Sequence, residues 1–370
     1  MNSYDEWYLR FMRHSLDTLM KRAFFFEGAY HWRHINIVDE RAIKASIHSI
    51  DLYDGVSGIA LTFYHNGKKY NIKKYTDFSM KLSRQLIHQL KYIPTTSLGF
   101  FSGSMGVIYA LTVINENKIP FMLQVIQKEL EKISYILLTT NFSSYSQLDI
   151  MNGVAGTLLG LIKIKKFYED YPIKEKINSI AKFAFDLLKN KAMLLLNENT
   201  LLGYSHGTAG VSAVLAKYMI FNNITDKDAV QAITKNTRRE NKNKTAKGWP
   251  DFSAKNNCNV SWCHGIVGFG FSRLDSQPFI DSEVFHLDID KVKERLTEQQ
   301  ESFSLCHGMG ASYILAKKLG LYNEALNILK NIKNEADIYG YKTDFGLHNF
   351  EMVGAMNGVC GLFVGDLLLN

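Results

Sequence analysis

Cysteine is scarce in this chain, four in 370 residues, and no basic start followed by an apolar run marks a secretion signal, since Asp5 and Glu6 interrupt the first residues. A disulfide framework is not expected; the thiols read as reduced and open to metal binding or catalysis. Uninterrupted apolar length is missing too. The longest apolar stretch, Met352 to Leu369, contains Asn357, Asp366 and four glycines, so it predicts a buried helix and no transmembrane segment. The expected location is the cytoplasm, with peripheral association at the inner face of the membrane through partners.

An acidic excess is also absent, the formal net charge being +7. Part of the positive charge gathers between Lys235 and Lys247, in Lys235, Arg238, Arg239, Lys242, Lys244 and Lys247. Aromatic residues are not interleaved there, so the segment reads as a solvated loop and no nucleic acid is expected as a partner. With 46% hydrophobic and 21% charged residues the composition supports a large core and argues against disorder.

What the sequence does have is a repeat. From Tyr53 onward a unit recurs seven times: a polar residue, Gly, two variable positions, Gly, then an apolar stretch. Its first glycines, at 55, 103, 153, 207, 265, 308 and 358, are 48, 50, 54, 58, 43 and 50 residues apart, which suits one helical hairpin per unit. Asp, Ser or Asn before the first glycine is expected to cap the helix that follows. Amphipathic segments such as Tyr75 to Tyr92, Phe121 to Leu138 and Lys174 to Leu196 are expected as the second helices. Seven hairpins predict an all-α fold closing into an α/α toroid, because the last repeat stays apolar to Leu369 and needs a covering face. Residues 1–50 hold no repeat and read as an N-terminal helical cap of the same domain, with 51–370 as the toroid.

The chemistry is written on repeats four to six. There the residue before the first glycine is His206, His264 and His307, and Cys263 and Cys306 occupy one repeat position in the two Cys-His-Gly copies. Histidine caps helices poorly, so three consecutive departures suggest a site. In a ring, equivalent loops converge at one end of the axis, and Cys263, Cys306 and His307 would then share a metal. Two thiolates and an imidazole suit one Zn²⁺ per chain and leave its fourth position open. Cys258, five residues before Cys263, is an alternative fourth ligand that would close the site. His264 reads as a cap or a supporting group, and Cys360 as a buried, inert thiol.

With these motifs in place, the chain resembles the lanthionine synthetase C-like cyclases, most closely the C-terminal cyclase domain of class II lanthipeptide synthetases (LanM type). The stretches that carry the resemblance are Leu52-Tyr53-Asp54-Gly55-Val56-Ser57-Gly58, Gly203-Tyr204-Ser205-His206-Gly207, Trp249-Pro250-Asp251, Ser261-Trp262-Cys263-His264-Gly265 with Ser272-Arg273-Leu274, and Ser304-Leu305-Cys306-His307-Gly308. The resemblance implies the toroid, zinc on Cys263, Cys306 and His307, and an active site lined by His206 and Asp149. It implies addition of peptide cysteine thiols to dehydroalanine or dehydrobutyrine, forming lanthionine or methyllanthionine rings in a dehydrated precursor peptide. A separate dehydratase and a peptide exporter are the implied partners, since the dehydratase half of a class II synthetase is not in the sequence. That same lack keeps a zinc-bearing, peptide-binding scaffold as the alternative. The chain departs from the family at Val267-Gly268, at the shortened Met309-Gly310, and at Asn259, where stand-alone cyclases often carry Arg.

Overall fold

The computed structural model describes residues 3–39, 42–46, 49–92, 97–250, 258–344 and 352–369. The chain opens with α1 (Ser3–Arg22) and two short antiparallel pairs, β1 (Phe24–Phe26) with β2 (Ala29–His31) and β3 (His34–Asp39) with β4 (Ala42–Ser46). Hairpins of helices follow: α2 (Val56–Lys69) and α3 (Lys73–Gln89), α4 (Ser104–Ile114) and α5 (Pro120–Thr139), α6 (Val154–Lys165) and α7 (Ile173–Leu194). Then come α8 (Thr208–Phe221) and α9 (Lys227–Lys242), α10 (Ile266–Ser276) and α11 (Ser282–Arg295), α12 (Met309–Lys318) and α13 (Tyr322–Tyr339), and finally α14 (Gly361–Leu369).

Burial separates the two helices of each hairpin. Every residue of α4 is buried, whereas α3 buries one stripe, Tyr75, Phe78, Ser79, Leu82, Ser83, Gln85 and Leu86, at three- and four-residue steps. A helix apolar all round belongs inside and one with a stripe belongs at the surface, so the even-numbered helices are the inner members and the odd-numbered ones the outer. The basic segment expected as a loop is mostly helix: Lys235 to Lys242 closes α9, and Arg239 donates to the carbonyls of Glu198 and Thr200 at 3.0 and 2.7 Å.

Contacts divide the chain into two compact units, residues 1–92 with 299–370, and residues 93–298. In the first, α14 packs against both α12 and α2, so the last repeat does meet the first. Asn66 Nδ2 donates to the Phe363 carbonyl at 3.0 Å, and Met356 N–H to the Tyr53 carbonyl at 2.8 Å. The N-terminal region differs from the helical cap expected of it. Tyr8 Oη donates to the Leu362 carbonyl at 2.9 Å, Phe11 packs on Phe363 at 5.8 Å and Trp7 Nε1 donates to Asp337 at 3.2 Å, so α1 is the outer helix laid over α14. The two strand pairs then follow, the first folding back through Glu27 and Gly28, both at positive φ, as two-residue hairpin turns require.

In the second unit α4 packs on α6, α6 on α8 and α8 on α10. Its core contains a charge. Arg273, fully buried in α10, donates to Glu240 Oε2 and Asp288 Oδ2 at 2.6 Å each, with Lys244 on Asp288 at 2.7 Å and the Thr208 hydroxyl on Glu240 at 2.6 Å. Burial works against the guanidinium's charge, but Glu240 and Asp288 outweigh it and hold the pKa above its ordinary value. Trp249 and Phe269 flank the guanidinium at 5.5 and 5.8 Å, which ties α9, α10, α11 and the Trp249 loop together.

The helix starts correct one expectation. The cap is the first glycine itself, extended at Gly55, Gly103, Gly153, Gly207, Gly265 and Gly308, and no side-chain cap bond is made there. His206, His264 and His307 therefore give up no cap. The glycines are needed for space: a Cβ on Gly156 would stand 2.0 Å from the Ile150 carbonyl oxygen and 2.4 Å from Phe100 N. The two loop departures are absorbed, Val267 being buried in α10 and Met309 starting α12 directly after its glycine.

Asp51, beside the first glycine, accepts from Asp54 N–H at 2.9 Å, yet its carboxyl is pushed up to about 6, chiefly by burial, with the Asp54 charge adding. The folded chain thus holds a proton that the unfolded chain releases near pH 4. This contribution to stability is complete below about pH 4 and is lost as pH rises through 6. Asp51→Asn is expected to match wild type in thermal midpoint near pH 4 and to exceed it at pH 8; a variant less stable at pH 8 contradicts the assignment.

Candidate metal centre

The glycine loops of successive repeats are stitched together by backbone hydrogen bonds. In the second unit Phe100 N–H donates to Ile150 O at 3.1 Å, Ile150 N–H to Ser205 O at 3.2 Å and Ser205 N–H to Cys263 O at 3.0 Å. In the first, Cys306 N–H donates to Met356 O, and Met356 N–H to Tyr53 O, both at 2.8 Å. Both motif cysteines thus sit on rungs of the same kind of ladder, which fixes their backbones before any metal arrives.

The first unit supplies a thiol and an oriented imidazole. His307 Nδ1 lies 2.9 Å from Asp344 Oδ2, and Asp344 Oδ1 accepts from the hydroxyls of Ser302 at 2.7 Å and Ser304 at 2.5 Å. Ser304 Oγ also accepts the His307 N–H at 3.2 Å. With Nδ1 held by a buried carboxylate, Nε2 is the ring atom that could ligate a metal, and it lies 3.8 Å from Cys306 Sγ. A sulfur and a nitrogen on one tetrahedral Zn²⁺ are ~3.6 Å apart, from bond lengths of about 2.3 and 2.05 Å. The pair fits zinc.

The second unit repeats the loop with one substitution. Ser261 Oγ accepts the His264 N–H at 3.3 Å, as Ser304 does for His307, but Ser261 donates to Asn259 Oδ1 at 2.6 Å. Asn259 is thereby occupied in shaping the loop. Cys263 is buried, its Sγ 3.5 Å from Ser261 Oγ and its carbonyl also accepting from the Ser205 hydroxyl at 3.1 Å. Beside it stands a second carboxylate-backed histidine: His206 Nδ1 lies 2.6 Å from Asp149 Oδ2, whose other oxygen accepts from the N–H groups of Asn152 and Gly153 at 2.7 and 3.0 Å. His206 is 35% exposed while Asp149 is buried, and the His264 ring lies 5.8 Å from the His206 ring.

Cys258 is engaged elsewhere. Its thiol donates to the Gly248 carbonyl and meets Thr245 Oγ1, both at 3.4 Å, in the turn that leads to Trp249. Cys360 is fully buried at the start of α14, and burial pushes its thiol up to about 12, so it stays protonated and inert as expected. Asp251 lies outside the described residues. Asp344 was missed by sequence reasoning: it follows α13 on no repeat position, and nothing in the spacing ties it to His307.

The family described as lanthionine synthetase C-like protein matches residues 46–368, and the chain belongs to it. Among solved structures, nisin cyclase aligns with a TM-score of 0.68 at 17% identity, over 86% of this chain and 87% of that one, and the shared fold is the expected α/α toroid. An unsaturated glucuronyl hydrolase specific for heparin aligns at a TM-score of 0.49 and 12% identity, over 90% of this chain and 98% of its own, too remote to bear on chemistry. No curated protein matches the sequence.

Asp344→Asn keeps an acceptor for one serine but removes the negative partner that fixes the His307 tautomer. Zinc affinity, read by competition with a chromogenic chelator, is expected to fall about 10–100-fold with the secondary structure retained. Unchanged affinity contradicts the role.

Proposed function

We propose that the chain is a zinc-dependent lanthipeptide cyclase, in which Cys263, Cys306 and His307 hold one Zn²⁺ and His206 with Asp149 handles the proton. The observation that carries the reading is the Cys306-His307 pair set by Asp344, with Cys263 at the matching position of the neighbouring repeat. A donor set of two thiolates and an imidazole is one that borderline-soft zinc accepts, and it leaves a position for a substrate thiol. The closeness to the LanM-type domain rests on the sequence motifs.

When bound there, zinc supplies the Lewis acidity that takes a thiol below its free pKa of about 8.5. The substrate thiolate adds to the β-carbon of a dehydroalanine or dehydrobutyrine, and electron density moves to the α-carbon and its carbonyl. Asp149 holds His206 at Nδ1, so Nε2 is the atom that delivers a proton to the α-carbon and is reprotonated between turns. The buried Asp149, anchored by two backbone N–H groups, keeps that ring from swinging away.

Incubation with a dehydrated precursor peptide tests this. Ring closure conserves mass, so loss of free thiol is read by alkylation before mass spectrometry, against a protein-free control. His206→Asn is expected to keep its zinc and to close rings about 10²–10⁴-fold more slowly. A variant equal to wild type removes His206 from the mechanism, and wild type equal to the control favours a zinc-bearing scaffold.

A further inference from the structure

A cavity of about 760 Å³ lies between the β1–β2 hairpin and α3, with no residue of the repeat glycine loops among its described lining and wholly within the first unit. Its walls are built. Buried Gln85 clamps the hairpin to α3, its Oε1 accepting from Tyr30 N–H at 2.7 Å and its Nε2 donating to Tyr30 O at 3.0 Å. Tyr30 packs edge-on against Phe78 at 5.1 Å, and Phe25 against Tyr30 at 5.0 Å, which holds Phe25 at the opening although it is 64% exposed.

The lining is strongly of one sign. Lys81 and Arg84 lie on one side of α3, three residues apart, with Lys91 just beyond the helix, while Glu27 at the hairpin turn is the single carboxylate among the described lining residues. Lys81 and Arg84 form no ion pair among the described residues. Elsewhere on the same helix the surface cations are matched, Lys73 to Asp77 and Lys74 to Asp17, each at 2.6 Å. Two exposed cations left unmatched beside an exposed phenyl ring are what a ligand with both carboxylates and an apolar side chain would complete.

We propose that this groove is a docking site for an acidic polypeptide segment carrying a bulky apolar residue. Carboxylates of that segment meet Lys81 and Arg84, and its apolar side chain packs on Phe25 and Tyr30. A concave, walled site with Glu27 at its lip suits an inserted peptide better than a flat anionic bilayer, which would bring phosphates against that carboxylate. The proposal goes beyond the cyclase reading and does not depend on turnover.

The test is fluorescence anisotropy with the full chain and a labelled synthetic peptide of aspartates around a central phenylalanine. Its Asn analogue is expected to bind about tenfold more weakly or not at all, and added salt to weaken the acidic peptide. Lys81→Glu with Arg84→Glu should weaken binding about tenfold or more, and Phe25→Ser should weaken the phenylalanine peptide but not its glycine counterpart. Lys128→Glu with Lys227→Glu, exposed positions of the other unit, change net charge equally and should leave binding intact. An unchanged far-ultraviolet circular dichroism spectrum and thermal midpoint in every variant report an intact fold. Equal binding of the Asn analogue, or an equal loss in the control pair, overturns the proposal; so does binding to phosphatidylglycerol vesicles that is lost in Phe25→Ser and displaces the peptide.

Discussion

The structure depends on how closely one glycine loop can lie against the next. At Gly99 an added Cβ would stand 2.1 Å from the Met151 carbonyl oxygen of the next loop, and at Gly156 2.4 Å from Phe100 N of the preceding one, so these neighbouring loops can lie this close only because the two positions carry no side chain. A backbone ladder made this way is rigid where it matters, since each rung also satisfies a buried peptide group that the loop would otherwise strand. Cys263 in one unit and Cys306 in the other each sit on a rung of this kind, which fixes the backbone that carries the thiol. In the proposed zinc site, ligands held in place in this way would lose little on binding the metal.

The buried charges extend the same economy to the helices behind the loops. Arg273 satisfies two carboxylates from α9 and α11 at once, and Thr208 at the start of α8 bonds to one of them. Removing one partner from such a cluster leaves an uncompensated charge, a loss of about 3–5 kcal/mol in measured cases. The cluster is therefore a register pin: it allows one arrangement of three helices behind the His206 loop and disfavours those that separate the charges.

Much of the fold was legible because its signal is periodic. The glycine spacing marks the inner helix starts, directly from α2 to α12 and within three residues at α14, and the amphipathic stretches from Tyr75 and Phe121 fall on α3 within three residues and on α5 within one. The errors came where local rules compete. Asp54 and Asn152 are good cap residues, but close approach of the loops places the cap on glycine, and the histidines that seemed to violate capping violate nothing. The β1–β2 hairpin was hidden by three consecutive phenylalanines, which show no alternation and are exposed. At the site, Cys263, Cys306 and His307 could be read from phase within the repeat, and Asp149 through family resemblance. Asp344 could not, because a carboxylate that orients a histidine across 37 residues leaves no pattern in the chain.

The two carboxylate-backed histidines divide the labour that the account assigns. Asp344 and Asp149 each hold one imidazole by the same Nδ1 contact in different loops, and the proposal makes the first ring a ligand and the second a proton carrier. What separates the roles is the thiol beside His307 Nε2. X-ray absorption at the zinc edge of the purified protein tests this claim most directly. The account predicts about two sulfur neighbours near 2.3 Å, with the remainder nitrogen or oxygen near 2.0–2.1 Å, and a further sulfur when a small thiol is added. Three or four sulfurs without added thiol, or none, would contradict it.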